Sequence, residues 1–369
     1  MPGLPGGAKP KVHGSSSSQT PRTELTERQA RVFRALIAAY VGQAGPVSSQ
    51  TLAQLLPVPL SSASIRNTLS ELHEAGLIHK SHASAGRVPT ELGLRIFVDD
   101  LLEVGTLGPH QQRLLDRSLS GVDAAETPRQ ASQLLSEYTR QLGFVVAPRV
   151  EHQRLKAIHL VAISSERVLI VLVAESGRII ERILDQPSPI SQRELEQIGQ
   201  LLSERVVGRT LIGLRRILEI ERDELRGQAD EILRRAWKLG FEACESQSED
   251  DLIVATRLAL LDQPEFADPG RIRGLFTALE TNQRLLDLLR QIAQADGGEK
   301  RVGLSMSLGT QLGEPALRDC VLMAVPYGRP AEPDALGVLG VIGPQRMDYG
   351  RVIPLVHYCG ELVTRKLQA

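Results

Sequence analysis

Cysteine, net charge and long apolar runs are all scarce in this chain, and each shortage excludes something. Its 369 residues hold three cysteines, Cys244, Cys320 and Cys359, odd in number and far apart. That spacing excludes a CxxC redox or zinc pattern and suits a reducing compartment. The formal net charge of −1 means that no global field draws the chain to nucleic acid. No apolar run approaches the roughly 20 residues needed to span a bilayer. The amino-terminal MPGLPGGAKPKVHGSSSSQTPR has no apolar centre of the kind a signal peptide needs, so a cytoplasmic location is expected.

Recognisable catalytic patterns are missing too. There is no GxxxxGK[ST] loop, no HExxH and no GxSxG. Gly337, Gly340 and Gly343 make GxxGxxG rather than the dinucleotide pattern GxGxxG, inside a strand-like run that ends at a Gly343-Pro344 turn, and read as structural. His73, His79 and His82 lie near one another, yet no Cys or carboxylate completes a metal set at useful spacing. Cys320 and Cys359 have apolar neighbours and read as inert buried thiols. No enzyme, cofactor or metal is expected.

What the chain does have is length and pattern. At 42% hydrophobic it can build two or three domains with substantial cores. Residues 1–22, rich in Gly, Pro and Ser, read as a disordered arm in which Lys9, Lys11 and Arg22 carry positive charge. A helix starts at Thr26 with the core stripe Val32, Phe33, Leu36, Ile37 and Tyr40. A short second helix follows, capped by Ser48, with Leu52, Leu55 and Leu56 facing inward.

The stretch Ser61 to Gly93 is the most informative. Ile65, Leu69 and Leu72 form one apolar stripe of a helix, and Ala63, Arg66, Asn67 and Ser70 project from the opposite side. That free face is short, polar and largely uncharged, and Arg and Asn pair bidentately with guanine and adenine edges. Ser61 or Ser62 caps the helix, and with Ser64 puts hydroxyls where a phosphate could sit. Gly76 ends the helix. Leu77 to Lys80, the small-residue tip Ser81 to Gly86, and Arg87 to Pro89 then form a hairpin before Thr90 caps a new helix. This order is a winged helix-turn-helix over residues 23–105, with Ala63, Arg66, Asn67 and Ser70 as base contacts. Ser61, Ser62, Ser64, Lys80, Ser84, Ala85, Gly86 and Arg87 are the phosphate and wing contacts. The unit is neutral, eight Lys/Arg against eight Asp/Glu within 22–105, so its affinity should depend on dimerisation and salt.

Beyond it, helices are expected between Leu107 and Leu142. An antiparallel sheet follows from Phe144 to Ala147, Leu155 to Ile163, Val168 to Ala174 and Arg178 to Leu184. Ser191 to Ala295 reads as helical with breaks at Gly208 to Gly213 and Asp262 to Pro269. Strands return at Arg301 to Leu308, Cys320 to Pro326 and Ala335 to Ile342, before a last helix. Strands, helices, strands is the pattern of a sheet domain (106–190 and 299–369) interrupted by a helical insertion (191–298).

TERQARVFRALIAAY, SSASIRNTLSELHEAGLI, SAGRVPTELGLRIFVDDLL and, near the carboxyl end, LGVLGVIGPQRMDY resemble the heat-inducible transcription repressor HrcA family. The resemblance implies an α+β multidomain chain: a winged helix, a GAF-like antiparallel sheet domain, and a helical insertion that makes a homodimer. It further implies binding of double-stranded DNA at an inverted-repeat operator of heat-shock chaperone operons, with the chaperonin GroEL keeping the repressor active. Leu275, Leu279, Leu285, Leu286 and Leu289 supply apolar surface for the dimer or form the insertion's own core. Arg346, Met347 and Asp348 of the carboxyl-terminal motif read as a charge-paired turn. The alternative to a repressor of this kind is a ligand-responsive winged-helix regulator whose GAF-like domain senses a small molecule.

Overall fold

The computed structural model describes residues 12–13, 25–43, 45–56, 60–81, 86–148, 150–175, 177–186, 188–224, 231–243, 252–255, 263–281, 283–294, 304–328 and 337–368. Lys9, Lys11 and Arg22 lie outside them. Within the arm expected to be disordered, Val12–His13 forms a short strand, β1, so the arm is not wholly without structure. Its partner lies far along the chain, a contact with no local sequence signal.

The amino-terminal unit begins with α1 (Glu27–Gln43), α2 (Ser49–Leu55) and α3 (Ser62–Glu74). Each forms where a cap and an apolar stripe coincide. The Ser48 hydroxyl accepts from the Thr51 amide, and the Ser61 hydroxyl from the Ser64 amide. Val32, Phe33, Leu36, Leu52, Ile65 and Leu72 are fully enclosed between the three helices. Leu55, expected to face inward, is instead 52% exposed, whereas Leu52 and Leu56 are buried. Strands β2 (Ile78–Lys80) and β3 (Arg87–Pro89) form an antiparallel hairpin, with Lys80 opposite Arg87. Helix α4 (Glu91–Ile96) runs into a π-helical turn, Phe97–Leu101, closed by the Leu102 amide on the Phe97 carbonyl.

After α5 (Pro109–Ser118) and α6 (Thr127–Thr139), the chain enters β4 (Leu142–Val146). A three-stranded antiparallel meander follows, β5 (Leu155–Ser164), β6 (Arg167–Ala174) and β7 (Ile179–Asp185). Helices α7 (Gln192–Val206), α8 (Leu211–Glu224) and α9 (Glu231–Ala243) cover one of its faces. Then come β8 (Leu252–Val254), α10 (Pro269–Thr281), α11 (Gln283–Gln294), β9 (Leu304–Leu308), β10 (Cys320–Tyr327), β11 (Gly337–Pro344) and α12 (Tyr349–Gln368).

The larger sheet has the order β1-β9-β10-β11-β4-β8, antiparallel throughout except for β1 on β9. The protein is therefore α+β, but its strands are sorted differently from the expectation. β4 does not join the meander; it pairs with β11 and β8. The reason is burial: every residue of β4, β10 and β11 is enclosed, as in a sheet covered on both faces, whereas β6 alternates. One face of the large sheet packs on α6 and α12, the other on α10 and α11.

The segment 191–298, expected as one insertion, is likewise divided. α7 to α9 share a core with the meander, so that a self-contained unit runs from Leu155 to Ala243. α10 and α11 belong to the large sheet. Strand β8 was expected as helix; it is three residues long, too short for a periodicity to register.

Candidate nucleic-acid interface

Helix α3 turns Ile65, Leu69 and Leu72 into the core and leaves Ala63, Arg66, Asn67 and Ser70 exposed, one face for packing and one free. Ser61 and Ser62 are exposed at its amino-terminal end, and Ser64 is half-buried. Behind the free face, the charge of Glu71 is occupied from α1: Arg28 lies 3.2 Å from one carboxylate oxygen and Gln29 donates to the other at 2.9 Å. Sequence reading missed this pairing, which joins residues about 40 positions apart and leaves no local trace. Its effect is to hold an acidic group away from the polar face.

The hairpin beside the helix is braced on three sides. Val47 exchanges backbone hydrogen bonds with Arg87, at 2.9 and 2.8 Å. His73, in the last turn of α3, places Nδ1 2.9 Å from the Ile78 carbonyl. Gly86 is buried, and a Cβ there would lie 2.6 Å from the Pro46 side chain. Its small size therefore serves close packing on Pro46 rather than a free tip, which corrects its expected role. Lys80 is exposed and Arg87 half-buried, across the ladder from each other. Ser84, Ala85 and His82 lie outside the described residues. Among the described residues no cluster of three metal-ligating side chains occurs.

At the exit of the hairpin, Thr90 gathers three elements. Its amide donates to the Leu77 carbonyl at 3.0 Å, its hydroxyl donates to the Gly76 carbonyl at 2.7 Å, and that oxygen accepts from the Gly93 amide at 3.0 Å. Gly93 itself lies so close to the Leu77 carbonyl that a Cβ would sit 2.1 Å from its oxygen. The end of α3, the hairpin and the start of α4 are thereby one stiff body.

The five leucines Leu275, Leu279, Leu285, Leu286 and Leu289 are all buried within the chain. Leu275, Leu279, Leu285 and Leu289 pack with Phe144, Val146 and Leu322 of the large sheet. Their apolar area is used internally, which corrects the reading that makes them a surface for a second copy. Apolar side chains are exposed instead on the uncovered face of the meander, where Val161, Ile163, Ile179 and Ile183 are 45%, 49%, 60% and 53% exposed.

The carboxyl-terminal motif is structural in its contacts. Arg346 forms a two-pronged pair with Glu265 and donates to Gln263 at 2.8 Å. Met347 is buried, and Asp348 accepts from the Arg351 amide at the start of α12. Of the glycines in this region, Gly340 is held by a close approach, since a Cβ would meet the Met323 carbonyl oxygen at 2.2 Å. Tyr40 of α1 ionises above its usual range, chiefly because it is buried and next because of the nearby Glu265. Burial pushes the thiols of Cys320 and Cys359 up to about 12. Cys244 lies outside the described residues.

The class defined by these features is an α+β protein with a helix-and-hairpin unit at one end, docked on a sheet enclosed by helices. Residues 126–353 match the family described as the HrcA protein C-terminal domain. The heat-inducible transcription repressor HrcA of Bradyrhizobium diazoefficiens is 36% identical over 351 residues, covering 93% of this chain and 95% of its own. That of Sorangium cellulosum is 35% identical over 339 residues, covering 90% and 95%. The chain belongs to the HrcA family of heat-inducible transcription repressors. Its fold is shared with a crystal structure described as that of a hypothetical protein, at a TM-score of 0.56 and 21% identity over 93% of this chain and 97% of that one. No helix among the described residues is long and apolar enough to cross a membrane.

Proposed function

We propose that this chain is a sequence-specific repressor of heat-shock chaperone operons that grips an inverted-repeat DNA operator as a homodimer and is kept in its binding form by the chaperonin GroEL. In this reading the amino-terminal unit is a winged helix-turn-helix with α3 as its recognition helix, and the large sheet with its helices is the GAF-like domain. The observation that carries it is the exposed, nearly uncharged face of α3, Ala63, Arg66, Asn67 and Ser70, beside a braced hairpin bearing Lys80 and Arg87. A solvated face evolved only for solubility would carry Glu and Lys there.

Arg66 and Asn67 read base edges in the major groove, with Ala63 and Ser70 making the closer, smaller contacts. Ser61, Ser62 and Ser64 at the helix start, and Lys80, Ser84, Ala85 and Arg87 at the wing, hold the phosphate backbone. Because the unit carries no net charge, one copy binds weakly and the two-fold pairing of two copies supplies affinity. The uncovered meander face is the apolar surface available for that pairing. A marginally stable repressor that needs the chaperonin loses its active fraction when heat fills the chaperonin with unfolded chains, and its operons open.

The test is operator footprinting at fixed salt with and without the chaperonin. Protection of both halves of an inverted repeat, strengthened by chaperonin, is the expected result. Binding that ignores the chaperonin and switches with a metabolite would replace this reading with that of a ligand sensor.

A further inference from the structure

Glu91 and Arg95, one turn apart on α4, both reach across to the segment that joins β9 to β10. Glu91 accepts from the Thr310 amide at 3.1 Å, from the Thr310 hydroxyl, and from Gln345 Nε2 at 3.5 Å. Arg95 donates to the Met306 carbonyl at 3.2 Å and to Gln311 Oε1 at 2.8 Å. Below them the junction is apolar: Phe97 meets Tyr349 edge-on, with centroids 6.4 Å apart, and Leu102 lies near Gly350.

The two kinds of contact constrain different motions. Apolar contacts are only weakly directional, whereas hydrogen bonds weaken steeply once bent. Apolar packing around Phe97 and Tyr349 seats α4, and the Glu91 and Arg95 bonds select the angle at which it sits. Because Thr90 and Gly93 weld α4 to α3 and the hairpin, that angle is also the angle of the recognition face relative to the rest of the protomer.

We propose that Glu91 and Arg95 are positioning residues that set which half-site spacing the protein accepts. The inference rests on the operator-binding reading above. Two recognition units held stiffly at one separation favour one spacer and one helical phase, while the same units on loosened junctions accept many. Glu91 and Arg95 thus act on specificity without touching DNA.

The experiment measures binding of the full-length protein, with chaperonin present, to inverted repeats whose spacer grows one base pair at a time through a full helical turn. A single half-site serves as control, and sedimentation checks the oligomer. The natural protein should bind its best spacing at least roughly tenfold tighter than one half a turn away, and Glu91→Ala/Arg95→Ala should reduce that contrast to within about threefold. Half-site affinity should stay unchanged, which a general loss of folding would not allow. Thr310→Val, altered from the sheet side, should flatten the profile in the same sense, and it alone decides if the double variant fails to fold. A spacing optimum as sharp in the variants as in the natural protein would overturn the inference. If the natural protein binds a paired repeat no better than a half-site, the dimeric operator reading fails and the inference with it.

Discussion

The hydroxyl of Thr90 donates to the carbonyl of Gly76 across 2.7 Å, tying the residue that caps α4 to the residue that ends α3. The same oxygen accepts from the Gly93 amide, so one side chain serves two elements. Thr90→Ala should cost about 1 to 2 kcal/mol of unfolding free energy, read from the urea midpoint, while Thr90→Ser should retain most of it.

Arg66 and Asn67 are exposed on α3. Replacing either with Ala should relax base preference at one operator position by about 1–3 kcal/mol and leave thermal stability unchanged. Lys80→Ala should instead weaken all sequences alike and reduce the salt slope of binding by about one. Affinities for operator and scrambled DNA at several salt concentrations separate the two outcomes. Equal loss on both DNAs for Arg66→Ala would contradict its assignment to a base.

Burial holds the Cys320 and Cys359 thiols near 12, against 9.0 for an ordinary thiol, with Asp319 and Glu265 adding to the shift at Cys320. At pH 8.5 their thiolate fraction falls roughly a thousandfold, so iodoacetamide should leave both unmodified in the native protein and label both after unfolding. The unfolded chain releases these protons first, so stability is intact below about pH 9 and declines as pH rises from there towards 12. Tyr327 and Tyr349, also raised by burial, act in the same direction. Urea midpoints between pH 8 and 11 would show it.

Ile183 is 53% exposed at the open face of the meander, next in the ladder to Leu169. If that face pairs two protomers, Ile183→Asp should give monomers in sedimentation equilibrium and lower operator affinity while half-site binding persists. A variant that remains dimeric would move the interface elsewhere.

Much of the amino-terminal unit is legible in the chain because its signals are local. Caps at Ser48, Ser61 and Thr90, and the stripe Ile65, Leu69 and Leu72, each act within a few residues. The turn role of Arg346 to Asp348 could be read from charge alternation beside a helix start, though its partner Glu265 could not. The packing role of Gly86 is hidden from the sequence for a related reason. A glycine among small residues looks like a flexible tip, and only the approach of Pro46 reveals packing.

The large sheet shows the limit of local pattern. β4 and the meander strands are alike as apolar, β-branched runs, yet Leu142 lies opposite Ile342 while Leu155 lies opposite Ala174. Composition does not choose between such partners; the pairing that encloses both faces of β4 does. The leucines of α10 and α11 follow the same logic, since an amphipathic helix specifies that one face be buried but not what buries it. The sequence by itself determined the helices, their caps, the hairpin and the polar face of α3, because those depend on neighbours along the chain. Tertiary structure alone decided which sheet each strand joined, where the leucines went, and the clasp of Glu91 and Arg95 on the β9–β10 segment, because those contacts join residues up to nearly three hundred positions apart.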